Sequence, residues 1–321
     1  MTADAPDNWA RIVGWGTVAL ALASVAALLA PFGWPFELFA HFRWQLAFAT
    51  LCFVPLVLLR RSGLVFAAAV VCVVAQALPL LVTPSRSAVA ERAAEPCRGA
   101  EPQLRVVSLN LQFRNAEHER VLDWLRSHPA DVVVLQELTP AWAAVLATTL
   151  DEYPHRFALT REDPYGIGLL SRTPLEQARA VDFAGDGLPS AVATVHIDGR
   201  PVQVIGVHTH WPVLPSLQQA RDLGLRHAAK QVRFAPGPSV LAGDLNLTPY
   251  APTFATLLRD SGLQDAFAGQ RWRPTWRATF WPLALPIDHV LVPAQACVVS
   301  ADVGADVGSD HRPVYVALRW Q

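Results

Sequence analysis

Polar side chains interrupt apolar segments at several points in the second part of the chain. They comprise four carboxylates, two imidazoles and two amides, namely Glu137, Asp244, Asp288, Asp310, His208, His311, Asn110 and Asn246. Each borders a short apolar run, so we expect them at the rim of a sheet, where open α/β folds bind ligands. Carboxylates bind hard cations, a histidine beside a carboxylate can move a proton near neutral pH, and amides can donate to phosphate. The set suits metal-assisted hydrolysis of a phosphate ester.

Each of these residues, taken alone, also has a purely structural explanation. Asn110 and Asn246 are typical of turns after strands, and Glu137 and Asp244 could cap a helix or turn. A histidine such as His208 could be a core or surface residue that has its hydrogen bonds satisfied. These separate explanations do not account for the occurrence of the whole set at strand ends.

The elements around these residues follow from hydrophobic periodicity. Buried strands are expected at 104–111, 131–138, 165–171, 191–197, 201–208, 238–244, 287–292 and 313–319. Helical spacing of apolar residues predicts helices at 115–128, 139–150 and 217–232. Many strands with interspersed helices, and no internal repeat, favour a single α/β domain with sheets inside and helices outside.

The order of these motifs resembles a known superfamily. SLN, LQE, YGIGLLSR, VHTH, GDLN, PIDHVLV and SDHRP follow one another as in the endonuclease/exonuclease/phosphatase superfamily, with its deoxyribonuclease I-like fold. GDLN and SDHRP together are the specific part of this resemblance, which covers about 104–321. It implies a four-layer α/β sandwich of two packed, mainly antiparallel sheets. The subgroup that the chain looks most like is the membrane-anchored bacterial type.

The resemblance also implies roles for individual residues. Glu137 matches the principal metal ligand, and Asn110 and Asp310 complete the metal neighbourhood. Asp288 matches the carboxylate that orients a catalytic histidine, here His311. The implied cofactor is Mg²⁺, with Mn²⁺ or Ca²⁺ as possible substitutes.

Further roles concern the phosphate and the attacking water. Asp244 and Asn246 match the pair that handles the water and the non-bridging oxygens, and His208 matches a residue that contacts the phosphate or assists its leaving group. We expect His311 to take the proton from water, with Asp244 as the alternative. Gln112 stands where some members carry another acidic residue, which weakens the case for a second metal.

Composition excludes several classes of protein. Of the 321 residues, 52% are apolar and only 17% charged, which is incompatible with a disordered chain. Four cysteines without a CxxC pair exclude a disulfide scaffold and a cysteine zinc site. We expect free thiols, and the alternative is a pairing of Cys97 with Cys297. From 104 onward there are 19 basic and 21 acidic residues, so the footprint of a protein that binds nucleic acid by bulk charge is missing.

Three apolar runs precede this domain. Residues 12–30, 44–59 and 64–82 predict a membrane domain, 1–83, with three transmembrane helices. The alternative is a cleaved signal peptide followed by a buried helical hairpin, but no clear cleavage site precedes Pro31. Residues 84–103, rich in Pro, Ser, Ala and Glu, are expected to be a linker.

Arginines predict the orientation in the membrane. Arg60 and Arg61 lie between the second and third runs and Arg11 precedes the first, so the positive-inside rule places them in the cytoplasm. The chain is then an integral protein of the plasma or inner membrane. Its catalytic domain faces the periplasm or the exterior.

The substrate is less determined than the chemistry. RWRPTWRATFWPLALP, 271–286, brings four aromatic residues and three arginines next to Asp288. These aromatics are either core or a lip suited to bases or lipid headgroups. Nucleic acid and phospholipid therefore stay equal as phosphodiester substrates, the lipid bilayer is a partner through the N-terminal helices, and no protein partner is indicated.

Three hypotheses follow from the sequence. The favoured one is a membrane-anchored, metal-dependent phosphoesterase. The second is a catalytically inactive membrane sensor or scaffold that uses the same fold for binding, against which the complete set of site residues argues. The third, a transport protein with an accessory domain, is disfavoured because the apolar runs carry no ionisable residue.

Overall fold

A computed structural model describes residues 8–58, 63–82, 97, 101–270 and 272–320. These residues form two compact units, the first within 1–85 and the second from 86 to the C-terminus, apart from a few residues around 250. Most of the predicted linker, together with Arg60, Arg61 and Arg271, lies outside the described residues.

The N-terminal unit is helical. Its helices are α1 (Asn8–Leu28), α2 (Phe36–His41), α3 (Arg43–Leu58) and α4 (Gly63–Val82). Leu20 and Ala21 of α1 pack with Cys72 of α4, and Gln76 of α4 donates to Ser24 Oγ of α1 at 3.1 Å. Apolar side chains on the opposite faces are exposed, including Trp15 and Leu22 of α1.

Of the three predicted transmembrane helices, one is a candidate span among the described residues. Among the described residues only α1, over Arg11–Leu28, is long and apolar enough to cross a bilayer. The apolar stretches Arg43–Val57 of α3 and Gly63–Leu78 of α4 are shorter, although α4 itself continues to Val82 and has 20 residues. The structure therefore offers one candidate span.

The second unit contains two six-stranded sheets. Sheet A has the strand order β11-β12-β1-β2-β4-β3 and sheet B the order β5-β6-β7-β8-β10-β9. Sheet A consists of β1 (Leu104–Asn110), β2 (Val132–Gln136), β3 (His155–Leu159), β4 (Ile167–Ser171), β11 (Ala296–Val303) and β12 (Val314–Trp320). Sheet B consists of β5 (Glu176–Asp182), β6 (Pro189–Ile197), β7 (Arg200–His208), β8 (Ser239–Asp244), β9 (Leu263–Asp265) and β10 (Asp288–Pro293).

Both sheets are mixed. The pair β1–β2 is parallel in sheet A and the pair β7–β8 is parallel in sheet B, whereas the other neighbours are antiparallel. The mainly antiparallel α/β sandwich predicted from the sequence is thus confirmed. The parallel pairs bring the carboxyl ends of β1 and β2, and those of β7 and β8, to one edge of each sheet.

One core lies between the two sheets. Alternate residues of their strands, such as Val106 and Val134 of sheet A and Val204 and Val240 of sheet B, belong to a single buried cluster. Each Å² of apolar surface that folding removes from water stabilises the fold by about 25 cal/mol. Such a cluster is therefore a main source of folding free energy. Because side chains alternate along a strand, the intervening residues face the outer layers.

Helices cover the outer faces. The helices α5 (His118–Ser127) and α6 (Pro140–Thr149) pack on sheet A, where Leu122 and Leu146 join Val133 in a second buried cluster. The helices α7 (Pro215–Arg233) and α8 (Pro252–Ser261) lie on the side of sheet B. Phe254 of α8 contacts the ring of His289 on β10.

Two cysteines are paired, contrary to the expectation of free thiols. Cys97, which precedes β1, forms a disulfide with Cys297 of β11, 200 residues away in sequence. Cys52 and Cys72 in the helical unit are free. The pairing depends on β11, an element that the hydrophobic pattern does not predict, so the sequence alone could not bring the two thiols together.

Removal of this disulfide should lower the stability of the second unit. A closed loop of this length raises the free energy of the unfolded chain, so Cys97→Ser/Cys297→Ser should lose about 2–5 kcal/mol in urea unfolding. Cys52→Ser, which removes an unpaired thiol, is the control and should leave this transition unchanged. An unchanged midpoint in the double variant would contradict a stabilising role.

Candidate active site

The predicted residues converge at one edge of the sandwich. The strand register places Asn110 beside Gln136, the residue before Glu137, in sheet A. In sheet B it places Asp244 between His208 on one side and Asp288 on the other. The bridge between Trp276 and His311 brings the segment before β12 to the same edge.

Gly243 allows this convergence. A Cβ at position 243 would lie 1.8 Å from the carbonyl oxygen of Val207, with which Gly243 is in register. Only glycine permits this close approach of β7 and β8. The motif GDLN therefore requires glycine at this position for steric reasons. The close approach of the two strands brings His208 and Asp244 side by side.

Asp244 is at the centre of the site. Its side chain is 1% exposed, and its Oδ2 accepts a hydrogen bond from Asn110 Nδ2 at 3.2 Å. The same Oδ2 lies 3.5 Å from His208 Nε2 and 3.6 Å from His311 Nε2. Oδ1 accepts from the backbone N–H of Asn246 at 2.9 Å. One buried carboxylate thus connects sheet A, the imidazoles of His208 and His311 and the GDLN turn.

His311 is held by Asp288. Its Nδ1 lies 2.9 Å from Asp288 Oδ2, and both side chains are almost completely buried. The backbone N–H of Asp288 donates to Thr275 Oγ1 at 3.1 Å, which fixes the carboxylate at the start of β10. With the Nδ1 proton directed at Asp288, Nε2 faces Asp244.

Burial and charge set the protonation of these groups. Burial raises the pKa of the Asp244 carboxyl to about 7, although His311 beside it acts in the opposite direction. Burial lowers the pKa of His208 to about 4. Burial alone would also lower the pKa of His311, but the carboxylates of Asp288 and Asp244 outweigh it and raise that pKa to about 10. At neutral pH the site holds a neutral His208 and a charged His311.

Glu137 occupies a special backbone conformation. Its φ of 57° is in the left-handed region, which is uncommon outside glycine. Its Oε1 accepts from Asn110 Nδ2 at 3.0 Å and its Oε2 from the backbone N–H of Phe113 at 2.8 Å. Such conformations concentrate at functional sites, where neighbouring contacts hold them in place.

Asn110 links the carboxylates. Its Oδ1 accepts from the backbone N–H of Gln112 at 2.9 Å, which fixes the orientation of the amide. The NH₂ group is then directed at both Glu137 and Asp244. This geometry makes Asn110 a bridge between the two carboxylates and places it next to Glu137, the predicted principal metal ligand.

Asp310 is anchored near the end of β1. Ser309 Oγ donates to the carbonyl of Asn110 at 2.8 Å and accepts from the backbone N–H of His311 at 3.0 Å. The carboxylate of Asp310 accepts from Trp276 Nε1 at 3.0 Å. The half-buried carboxylates of Glu137 and Asp310 therefore flank the same strand end.

Two groups of residues could hold a metal ion. Asp244, Asp288 and His311 have ligand atoms within 4.8 Å of one another. An ion among them would have to displace the hydrogen bond between His311 and Asp288. Glu137 and Asp310 offer carboxylate oxygens, the ligands that Mg²⁺ prefers, at a less buried position. The donor set around Glu137 therefore fits a hard cation better.

Asn246 is held by contacts on both sides. With φ at 44°, its Nδ2 donates to the carbonyl of Thr209 at 2.8 Å. Its carbonyl accepts from Arg221 Nη1 at 3.3 Å. Sequence reasoning missed Arg221, a fully buried arginine of α7 that also pairs with Asp222 at 2.7 Å. The sequence did contain a signal for Arg221, because it is a charged residue on the apolar face of the helix predicted at 217–232.

A second histidine–carboxylate pair flanks His208. His210 Nε2 lies 2.7 Å from Asp186 Oδ2, and the ring of Tyr165 contacts both His208 and His210. A role for Tyr165 was not predicted. His289, in contrast, is a core residue, since its Nε2 lies 2.9 Å from the carbonyl oxygen of Leu247 in a buried environment.

Comparison with known proteins identifies the family. The model of the endonuclease/exonuclease/phosphatase family matches residues 107–311, which is more than half of the chain. The chain belongs to this family. No curated protein sequence matches the chain significantly.

Solved structures agree with this assignment at the level of the fold. TDP2 from D. rerio in complex with a single-strand DNA product is 20% identical, with a TM-score of 0.57, over 67% of this chain and 98% of that one. Sphingomyelinase C from Streptomyces griseocarneus is also 20% identical, with a TM-score of 0.51, over 68% and 99%. A family member from Bacteroides vulgatus has a TM-score of 0.58 at 19% identity, over 68% and 99%.

The protonation of His311 can be measured directly. In metal-free protein, the ring nitrogens of His311 should show a protonated imidazole by NMR at pH 8, below its pKa of about 10. Asp288→Asn removes the main stabilising charge and should lower this pKa by about 1–3 pH units. Asp265→Asn, which removes the carboxylate beside His289, should leave His311 unchanged. A neutral His311 at pH 8 would contradict the prediction.

Proposed function

We propose that the protein is a divalent-metal-dependent phosphoesterase that hydrolyses a phosphodiester of nucleic acid or lipid by in-line attack of water. The observation that carries this proposal is the position of the buried Asp244 carboxylate, within 3.6 Å of two imidazoles and hydrogen-bonded to the amide that also contacts Glu137. The family assignment and its solved relatives, which include a DNA complex and a sphingomyelinase, support the same class of reaction.

Glu137 and Asp310 are the proposed ligands of Mg²⁺, or of Mn²⁺ or Ca²⁺ in its place. When bound, the ion neutralises charge that develops on the phosphate and on the leaving oxygen. Asn110 keeps the Glu137 carboxylate in position, and it connects this carboxylate to Asp244. The N–H of Phe113 fixes the second oxygen of Glu137.

Asp244 is the proposed acceptor of the proton from water. Both ring nitrogens of His311 face carboxylates, at 2.9 Å for Asp288 and 3.6 Å for Asp244, so a protonated His311 has no lone pair left for water. This geometry favours Asp244, the alternative in the sequence analysis, over His311 as the base. As the new P–O bond forms, a proton of the attacking water moves to Asp244. The leaving oxygen keeps the electron pair of the bond that breaks and takes up a proton from solvent. His311 and Asn246 are then positioned to stabilise the phosphate oxygens, and His208 to contact the phosphate.

Membrane anchoring is the second part of the proposal. The helix α1 has the length and apolar character of a span, and large apolar side chains on its surface are exposed. We propose an integral protein of the plasma or inner membrane with 1–83 at the bilayer, 84–103 as linker and 104–321 as catalytic domain. The disulfide between Cys97 and Cys297 supports a periplasmic or extracellular position of this domain, because such bonds persist in oxidising compartments.

The catalytic roles can be tested on a soluble phosphodiester. Full-length protein in Mg²⁺ should hydrolyse bis(4-nitrophenyl) phosphate, and EDTA should abolish this activity. Asp244→Asn and His311→Gln should each lower kcat by about 10²–10⁴-fold, because each removes a proton acceptor or a charged partner of it.

His196→Gln is the matched control for this series. His196 is exposed and pairs with Glu176 far along β6 from the site, so its replacement should leave kcat unchanged. Folded wild-type protein that binds Mg²⁺ but turns over neither soluble, nucleic-acid nor lipid diesters would favour the inactive sensor or scaffold.

The position of the metal can be tested separately by calorimetry with Mn²⁺. Glu137→Gln should weaken Mn²⁺ binding by at least about tenfold. That is the lower end of the loss of metal affinity seen when a residue that only hydrogen-bonds to a metal ligand is replaced. Asp288→Asn should have a much smaller effect, since Asp288 is engaged with His311. The reverse order of effects would assign the ion to Asp244, Asp288 and His311.

A further inference from the structure

A loop beside the site exposes large apolar side chains. It follows β7, whose last residue is His208, and leads into α7. Trp211 is 58% exposed and Leu214 is 53% exposed, and Val213 between them is exposed as well. Neither the chemistry proposed above nor the packing of the core uses these side chains.

A second exposed segment lies next to the site. Trp276 and Leu285 exchange backbone hydrogen bonds of 2.9 and 3.1 Å and form the base of a hairpin-like loop. Within this loop Phe280 is 55% exposed and Leu283 is 38% exposed. The loop leads directly into β10, which begins with Asp288.

The two segments meet above the site. The rings of Trp211 and Trp276 lie 6.2 Å apart at an angle of 60°. Trp276 in turn donates to Asp310, one of the proposed metal ligands, and stacks with the guanidinium of Arg277 at 5.2 Å. An apolar surface with a cation on it thus adjoins the position where a phosphate would react. We call 211–214 and 276–283 the apolar rim.

The composition of the apolar rim favours lipid over nucleic acid. Stacking on bases requires flat aromatic faces, whereas Val213, Leu214 and Leu283 are aliphatic and suit the boundary between headgroups and acyl chains. Exposed Arg277 can meet a headgroup phosphate while its stem lies along the apolar surface. The acidic excess of the domain gives no broad attraction to a nucleic-acid backbone.

The connection to α1 supports the same partner. The helix α4 packs on the candidate span α1 and ends at Val82, and the chain from Val82 to Leu104 spans at most about 75 Å even when fully extended. Anchoring of α1 therefore limits how far the catalytic unit can lie from the bilayer. A surface of exposed aromatic and aliphatic side chains in that location has lipid as its most abundant partner.

We propose that the apolar rim docks on the bilayer surface and that the substrate is a lipid phosphodiester, whose headgroup linkage enters the site as the rim contacts the membrane. This proposal rests on the proposed phosphodiesterase activity and names its substrate class. Docking would bring the scissile phosphate to Asp244 without extraction of the whole lipid into water.

Kinetics in nanodiscs test the substrate class. Full-length protein is reconstituted with equal amounts of phosphatidylcholine and phosphatidylglycerol, and lipid hydrolysis is compared with that of bis(4-nitrophenyl) phosphate. Leu214→Ser/Phe280→Ser should lower lipid turnover by about tenfold or more, because it removes two apolar side chains that docking would bury in the bilayer. Turnover of the soluble diester, which does not need the membrane, should stay within about twofold, and this also shows that the site is intact.

Phe234→Ser is the matched control. Phe234 is 82% exposed and follows the far end of α7, about 30 Å along the helix from Leu214. This variant should hydrolyse lipid like the wild type. Equal lipid turnover by the rim variant and the control would overturn the proposal, as would wild-type protein that cleaves the soluble diester but no lipid. Loss of single-stranded DNA cleavage in the rim variant, with lipid turnover unchanged, would assign the rim to nucleic acid instead.

Docking can be measured without reference to activity. Hydroxyl-radical oxidation of Trp211 and Phe280 should be lower in nanodiscs than in lipid-free amphipol, whereas that of Phe234 should not differ between the two. Equal oxidation of the rim residues in both media would overturn docking even if the protein is an active phosphodiesterase. Protection of the rim in a protein that cleaves no diester would retain docking and refute the proposed function.

Discussion

A buried carboxylate at the contact between two sheets governs the organisation of this protein. Removing a charge from water is costly unless hydrogen bonds and opposite charges compensate. Asp244 obtains part of this compensation from sheet A through Asn110, from its own turn through the Asn246 N–H, and from the charged His311, with the neutral His208 on its other side. These partners come from different elements, so Asp244 is stable only when both sheets, the GDLN turn and the segment before β12 are in place.

The backbone around this carboxylate is specialised in the same way. Glu137 and Asn246 have left-handed conformations, and each is held by hydrogen bonds that reach neighbouring segments. Arg221 contributes from beneath, where its guanidinium contacts the carbonyl of Asn246. The cost of the unusual conformations is therefore distributed over the fold. The side chains that we propose to contact a phosphate are therefore held in position before any ligand arrives, which is the basis of electrostatic preorganisation.

The surface surrounding the site differs in character from the site itself. Inside, most polar groups of the site are buried and hydrogen-bonded, whereas the apolar rim exposes Trp211, Leu214 and Phe280. Large exposed apolar patches on proteins mark places of interaction. The Trp276 side chain connects the two regions, because its indole N–H contacts Asp310 while its ring faces Trp211. A change in what covers the apolar rim would therefore alter the surroundings of Asp310, one of the proposed metal ligands.

The sequence by itself determined the buried strands, the amphipathic helices α5 and α7 and the set of polar residues that the structure brings to one edge of the sandwich. Strong periodicity and polar residues at the ends of apolar runs carry that information locally. The largely exposed edge strand β5 was not predicted, because its sequence has no regular apolar alternation, and it forms through its hydrogen bonds to β6. Only the tertiary structure decided that Cys97 pairs with Cys297, that Asn110 bridges two carboxylates and that both ring nitrogens of His311 face acids. Each of these depends on distances between residues far apart in the chain, and such distances are set by the packing of the two sheets.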